Sequence, residues 1–182
     1  MEKIKWGIIG PGNIANNFAD GLKSSYSGQL VAIASKSEDR RKNFGDKYDI
    51  HSDFRFDSYE DIINSEHIDA IYISTPHNLH AEWTIKAAGK GKHVLCEKPG
   101  AVNLNEGKKI IEAVKEAGVF YMEGFMYRCH PQIPKLLEII KNKTIGEIES
   151  IETSFGYDTG KTIPESRIFN KELTGGAILD VG

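Results

Sequence analysis

Three short segments of this 182-residue chain combine residue types that can do chemistry. Gly10-Pro11-Gly12-Asn13-Ile14-Ala15 has the spacing G-x-G-x-x-A. In that pattern the first glycine permits a tight turn and the second lets backbone approach a pyrophosphate. The small third residue lets a helix pack closely on a strand. Free N–H groups and the dipole at the helix start then attract the anion. Asn13 can also cap that helix. Ser74-Thr75-Pro76-His77-Asn78-Leu79-His80 gathers hydroxyl, imidazole and amide groups, and Glu97-Lys98-Pro99 sets a cation beside a carboxylate. The plainer alternatives are an ordinary strand-to-helix turn at the glycines and an exposed lysine before a proline.

The surrounding pattern decides how much these segments mean. Ile4 to Ile9, Leu30 to Ala34, Ala70 to Ser74, His93 to Cys96 and Val119 to Met122 are short, mostly apolar runs. Between them Ile14, Ala15, Phe18, Ala19 and Leu22 recur at helical spacing, as do Ala81, Ile85 and Ala88, and Ile110, Ile111 and Val114. Ser37 can cap a helix over about 38–48, Ser58 with Asp61 begins a capping box, and Asn103 with Glu106 forms another. Gly89 and Gly91 end one helix and Gly118 closes the next. A short extended piece is expected near Ile50.

Strands and helices thus alternate through about residue 124, and the strands are continuous apolar runs. Both features predict an α/β fold with a doubly wound parallel sheet covered by helices on both faces. The glycine turn follows a strand, precedes a helix and opens the alternation, which is the context that gives such a motif force. Ligands of open parallel sheets bind outside the carboxyl ends of the strands, so all three polar segments line one crevice.

After residue 125 the rhythm changes. Pro131 to Ile140 reads as a helix, while Ile151, Thr153, Phe155 and Tyr157 alternate like a strand with one face buried. These features divide the chain into a dinucleotide-binding domain over 1–124 and the start of a second, α+β domain over 125–182. A lone strand makes no stable sheet, so this second domain reads as incomplete.

The end of the second strand should read the ribose 2′ group. An acidic residue there would hold the two hydroxyls of NAD. This strand runs into Ser35-Lys36-Ser37, with Arg40 and Arg41 beyond. Ser35 can donate to a 2′-phosphate, and Lys36 and Arg40 supply charge, so NADP is expected over NAD. Glu38 and Asp39 leave NAD open, and a solvated helix start is the other reading of the basic residues.

Composition excludes several classes. A formal charge of −3 offers no basic surplus for nucleic acid. No apolar stretch approaches the roughly 20 residues of a membrane span, and the first residues run straight into a strand without a signal-peptide pattern. Two cysteines, Cys96 and Cys129, make no disulfide framework, so a cytoplasmic location is expected. His77 and His80 lie three apart, but no further ligand pattern completes a metal site. His51, His67, His93 and His130 read as structural or surface residues, and Trp6 and Trp83 as packing.

The combination of Gly7 to Ala15, Thr75 to His80 and Glu97-Lys98-Pro99 resembles the Gfo/Idh/MocA oxidoreductase family. Met122 to Arg128, Pro164 to Asn170 and Gly175 to Gly182 are similar to its branch of dimeric dihydrodiol dehydrogenases and NADP-dependent D-xylose dehydrogenases. The resemblance covers the whole chain. It implies a Rossmann domain followed by an open sheet over the nicotinamide, with hydride exchanged between NAD(P) and a hydroxyl carbon of a sugar or diol. It implies that Lys98 is the catalytic lysine, near both the substrate hydroxyl and the cofactor ribose, whose charge can stabilise an alkoxide or hold the acid–base partner in register. Thr75, Pro76, Asn78 and His80 match positions that touch the cofactor, alongside Gly10, Gly12, Asn13, Ile14 and Glu97. Phe125, Met126 and Arg128 are expected near the nicotinamide, and Arg167 near the substrate or the domain junction, a structural salt bridge being the other reading.

Asp180 matches the family's aspartate that positions substrate or tunes the acid–base residue. That residue, a Tyr or His in the family, follows one helical turn later, beyond Gly182. The 182 residues are therefore expected to bind a dinucleotide more readily than to turn over substrate. The alternative from another class is a non-catalytic dinucleotide-binding or interaction module. A homodimer is expected if the second domain is complete.

Overall fold

A computed structural model describes residues 2–156 together with 158, 160, 169–170, 173–176 and 178–179. Six strands form one parallel sheet: β1 (Ile4–Ile9), β2 (Gly28–Ala34), β3 (Arg55–Phe56), β4 (Ala70–Ile73), β5 (His93–Cys96) and β6 (Tyr121–Glu123). Their spatial order is β3-β2-β1-β4-β5-β6. The helices are α1 (Asn13–Lys23), α2 (Glu38–Lys47), α3 (Tyr59–Asn64), α4 (His80–Gly89), α5 (Leu104–Ala117) and α6 (Gln132–Lys141).

The order reverses at β1, because the chain winds outward to β3 and then returns to place β4 on the other side of β1. Such a switch point opens a crevice between the carboxyl ends of β1 and β4, the place where doubly wound sheets take ligands. The sheet separates two cores. On one face Ala15 and Ala19 of α1 and Phe44 of α2 pack with Ile8, Ile33 and Tyr72. On the other, Ile62 and Ile63 of α3 and Trp83 and Ala87 of α4 pack with Ile9, Ile71 and Ile73. The odd and even positions of β1 therefore serve opposite faces, which is why its apolar run is continuous.

Local sequence sets the helix ends. The Ser37 hydroxyl accepts from the Arg40 N–H and starts α2, and the Ser58 hydroxyl accepts from the Glu60 and Asp61 N–H groups and starts α3. Asn103 accepts from the Glu106 N–H at 2.9 Å, and Gly118, in the left-handed region at φ 65°, closes α5. An Asn103→Ala variant is expected to lose about 1 kcal/mol of stability, measured by urea unfolding, because the cap satisfies a donor the helix itself leaves unpaired. A loss below about 0.3 kcal/mol would show that the cap contributes little.

Two sequence expectations are corrected. The extended piece lies at Arg55–Phe56, not near Ile50, and Ile50 is instead buried against the α2 core. Strand β3 is only two residues long and exists because Ile33 and Ala34 of β2 pair with it. The alternating segment 151–157 forms no strand over its described part, 151–156, and its side chains there are exposed. Alternation stabilises a strand only when a neighbouring strand supplies the ladder, and none lies beside these residues among those described. Tyr157 lies outside the described residues.

Candidate cofactor and active site

The loops after β1, β4, β5 and β6 are stitched edge to edge. Ser74 N–H donates to Ile9 O, and the Ser74 hydroxyl donates to Gly10 O at 2.7 Å. Glu97 N–H donates to Ile73 O, and Gly124 N–H to Cys96 O. The three polar segments of the sequence therefore meet along one sheet edge.

Gly10 sits at φ +90°, and a Cβ built on it would lie 3.0 Å from the Ser74 carbonyl oxygen. Only glycine fits there. Gly12 differs, because a Cβ on it would meet nothing within 4 Å. Gly12 is also the residue that precedes α1, and no side chain caps that helix. Asn13 begins α1 rather than capping it. The first turn thus presents backbone donors to open space, as an anion site requires. Ile14 faces the adjoining cleft. Above this turn Thr75 is buried, and its hydroxyl oxygen has no hydrogen-bond partner among the described residues. An uncapped helix start, an open approach to Gly12 and an unsatisfied buried hydroxyl fit a dinucleotide phosphate and its neighbouring groups.

At the end of β2, Ser35 is buried and its hydroxyl accepts from the Ser37 N–H. The Lys36 amine lies 5.8 Å from the centre of the Tyr59 ring. Burial pushes the Tyr59 hydroxyl above its ordinary range, against the opposing pull of the Arg40 charge. Arg41, which the sequence places just beyond the strand but not among the residues expected at the 2′-phosphate, donates to the Ser35 carbonyl at 2.6 Å. Its guanidinium is thereby fixed at the strand end, whereas Lys36 and Arg40 are exposed. Helical spacing of Arg41 from Ser37 was the available signal, since one turn brings it back toward the strand.

Beyond β4, Pro76 and Asn78 are exposed on the crevice loop, while His77 and His80 are buried. His80 departs from the expected direct contact with a ligand. It has no exposed surface, and its ring nitrogens reach Pro99 O at 2.7 Å and Thr75 O at 2.8 Å. Both nitrogens are engaged in tying the β4 loop to the β5 loop. Neither is left to ligate a metal, and no cluster of three metal-ligating side chains gathers among the described residues.

Beyond β5, Glu97 and Lys98 are half-buried and Pro99 is buried. The Lys98–Pro99 peptide bond is cis. The Tyr72 hydroxyl donates to Glu97 Oε1 at 2.5 Å. Burial first, and the Glu97 carboxylate second, push the Tyr72 hydroxyl far above its usual range, so it remains a donor. Burial likewise pushes the Cys96 thiol up to about 12, which leaves it an unreactive core residue. A cleft of about 350 Å³ opens beside Glu97, lined by Ile14, Phe18, Leu95, Phe125 and Met126 among others. Arg128 is not part of this lining. Asp180 and Arg167 lie outside the described residues. Tyr72, inside the apolar run of β4, carried no sequence signal for its bond to Glu97.

Comparison with known proteins agrees with this geometry. The profile of the GFO_IDH_MocA oxidoreductase family, NAD-binding Rossmann fold, matches residues 4–125. A trans-1,2-dihydrobenzene-1,2-diol dehydrogenase of Xenopus tropicalis is 34% identical over 180 residues, which cover 98% of this chain and 53% of the relative. An NADP(+) D-xylose 1-dehydrogenase of Haloferax volcanii is 33% identical, with 98% and 54% covered. Among solved structures, a 3-ketoreductase of Actinomadura kijaniata in complex with NADP is similar with a TM-score of 0.72 and 32% identity. That match covers 80% of this chain and 46% of the ketoreductase. The chain spans about half the length of the curated relatives it matches.

Proposed function

The chain belongs to the Gfo/Idh/MocA oxidoreductase family, and from that premise we propose that it binds NADP(H) for hydride exchange with a hydroxyl carbon of a sugar or diol. One observation carries the reading. The open approach to Gly12, the buried Thr75 hydroxyl and the Lys98 loop converge on the carboxyl edge of one sheet. The relatives, a diol dehydrogenase, a D-xylose dehydrogenase and a 3-ketoreductase, support the substrate class.

Residues 1–124 form the cofactor domain, and 125–182 begin the substrate domain. Gly12, Asn13 and Ile14 would hold the pyrophosphate at the start of α1, on the tight turn that Gly10 permits. Ser35, Lys36 and Arg40 surround the 2′-phosphate, and we add Arg41 to them because its guanidinium is anchored at the strand end. Thr75, Pro76 and Asn78 line the crevice, His80 holds it in shape, and Glu97 borders the apolar cleft. When bound, the nicotinamide would be the group that supplies or accepts the hydride. Lys98 meets the substrate hydroxyl, where its charge lowers the cost of a developing alkoxide. Asp180 positions the substrate or the acid–base group. Two free cysteines, one of them exposed, support a cytosolic setting. No helix among the described residues is long and apolar enough to cross a membrane. A homodimer built through a completed second domain is the assembly this reading implies.

Fluorescence titration with NADPH and NADH tests the proposal. NADPH should bind at least about 10-fold more tightly, the yield of one charge-assisted phosphate contact. An Arg41→Ala variant should lose most of that preference while its affinity for NADH stays unchanged. Equal affinities in the parent chain would remove the 2′-phosphate assignment, and a folded chain that binds neither would remove the cofactor assignment altogether.

A further inference from the structure

The loop that carries Lys98 is gripped from both sides by residues to which no role has been given. Tyr72 lies inside β4, and its ring stacks on Phe18 of α1 with centroids 4.1 Å apart. From there its hydroxyl reaches the side chain of Glu97, the residue before Lys98. On the other side Glu123, the last residue of β6, accepts the Gly100 N–H on Oε1 at 2.7 Å. Gly100 is seated so closely that a Cβ there would collide with the Tyr121 hydroxyl. Both bonds join a carboxylate to a neutral donor, which makes them stronger and shorter than neutral pairs.

These grips act on the residue before Lys98 and on the second residue after it, so they constrain the direction in which this loop leaves the sheet edge. Tyr72 also couples that direction to α1, the helix whose first turn faces the open space at Gly12. We propose that Tyr72 and Glu123 are positioning residues, which hold the Glu97-Lys98-Pro99-Gly100 loop in the geometry required by the nicotinamide half of the dinucleotide. The inference rests on the dinucleotide reading above.

Two probes separate the halves of the ligand: NADPH, and 2′-phospho-ADP-ribose, which lacks the nicotinamide. Tyr72→Phe deletes one hydroxyl and keeps the stack on Phe18. Glu123→Ala deletes the acceptor, whereas Glu123→Gln keeps an acceptor oxygen. Each of the first two should weaken NADPH about 3- to 10-fold and change 2′-phospho-ADP-ribose by less than about twofold. Glu123→Gln should recover at least about half of the affinity lost in Glu123→Ala. Equal losses for both ligands would mean general damage to the fold and would overturn the proposal, as would undiminished NADPH binding in Tyr72→Phe. A parent chain that binds 2′-phospho-ADP-ribose alone would overturn it while sparing the phosphate assignment. A parent that binds neither probe would remove the underlying cofactor reading, and this inference with it.

Discussion

A Gly12→Val variant is expected to fold like its parent and to lose NADPH binding by at least about 100-fold, the cost of placing a branched side chain where a pyrophosphate must approach backbone. The fold should tolerate the change for two reasons. Gly12 has φ −93° and ψ −172°, extended backbone that valine adopts readily. Its Cβ would also meet no atom within 4 Å. Replacing glycine by valine before a helix costs about 1 kcal/mol at most.

Gly10, two residues earlier, should behave in the opposite way. A Gly10→Ala variant forces a side chain into φ +90° and against the Ser74 backbone, which cannot swing aside as a flexible side chain would. Strain of this kind costs about 1–3 kcal/mol before the collision is counted. Urea unfolding and NADPH titration on both variants check the contrast. If Gly12→Val binds NADPH as the parent does, the open space at Gly12 is not the pyrophosphate site. If it unfolds as readily as Gly10→Ala, its lost binding says nothing about the ligand.

The contrast between the two glycines also marks what could be read without a structure. The motif already gave the first glycine to the turn and the second to the pyrophosphate; the neighbours add the physical reason, a Ser74 carbonyl against any Cβ on Gly10 and open space around Gly12. Features encoded within a few residues were legible: the caps at Ser37, Ser58 and Asn103, the left-handed stop at Gly118, and the apolar runs that became β1, β2, β4 and β5. Strand β3 was misplaced because its stability comes from β2, far away in sequence. The bonds from Tyr72 to Glu97 and from Glu123 to Gly100 were invisible for a related reason. They depend on which residues stand side by side across β4, β5 and β6, where Ile73 pairs with Cys96 and Cys96 with Glu123. Register of this sort is a property of the assembled sheet, and no periodicity within one strand reports it.

His80 shows how far a motif residue's role can shift once the structure is known, and it carries the second large expected effect. A His80→Leu variant should lose about 1–3 kcal/mol of unfolding free energy, since at least one buried carbonyl loses the ring N–H that serves it. Leucine nearly matches the volume, so little of the loss comes from a cavity. What disappears is the bridge from Thr75 O to Pro99 O, which ties the loop after β4 to the loop after β5. Those two loops hold the unsatisfied Thr75 hydroxyl and Lys98, so the loss should also weaken NADPH binding in whatever protein remains folded. Urea unfolding followed by circular dichroism measures the first effect, and titration below the unfolding transition measures the second. A stability loss under about 0.5 kcal/mol would mean that water replaces the ring at the carbonyl it serves, and the bridge would then be dispensable. A full loss of stability with unchanged NADPH affinity would instead mean that the crevice is held by its backbone bonds alone. His80 would in that case support the fold without shaping the site.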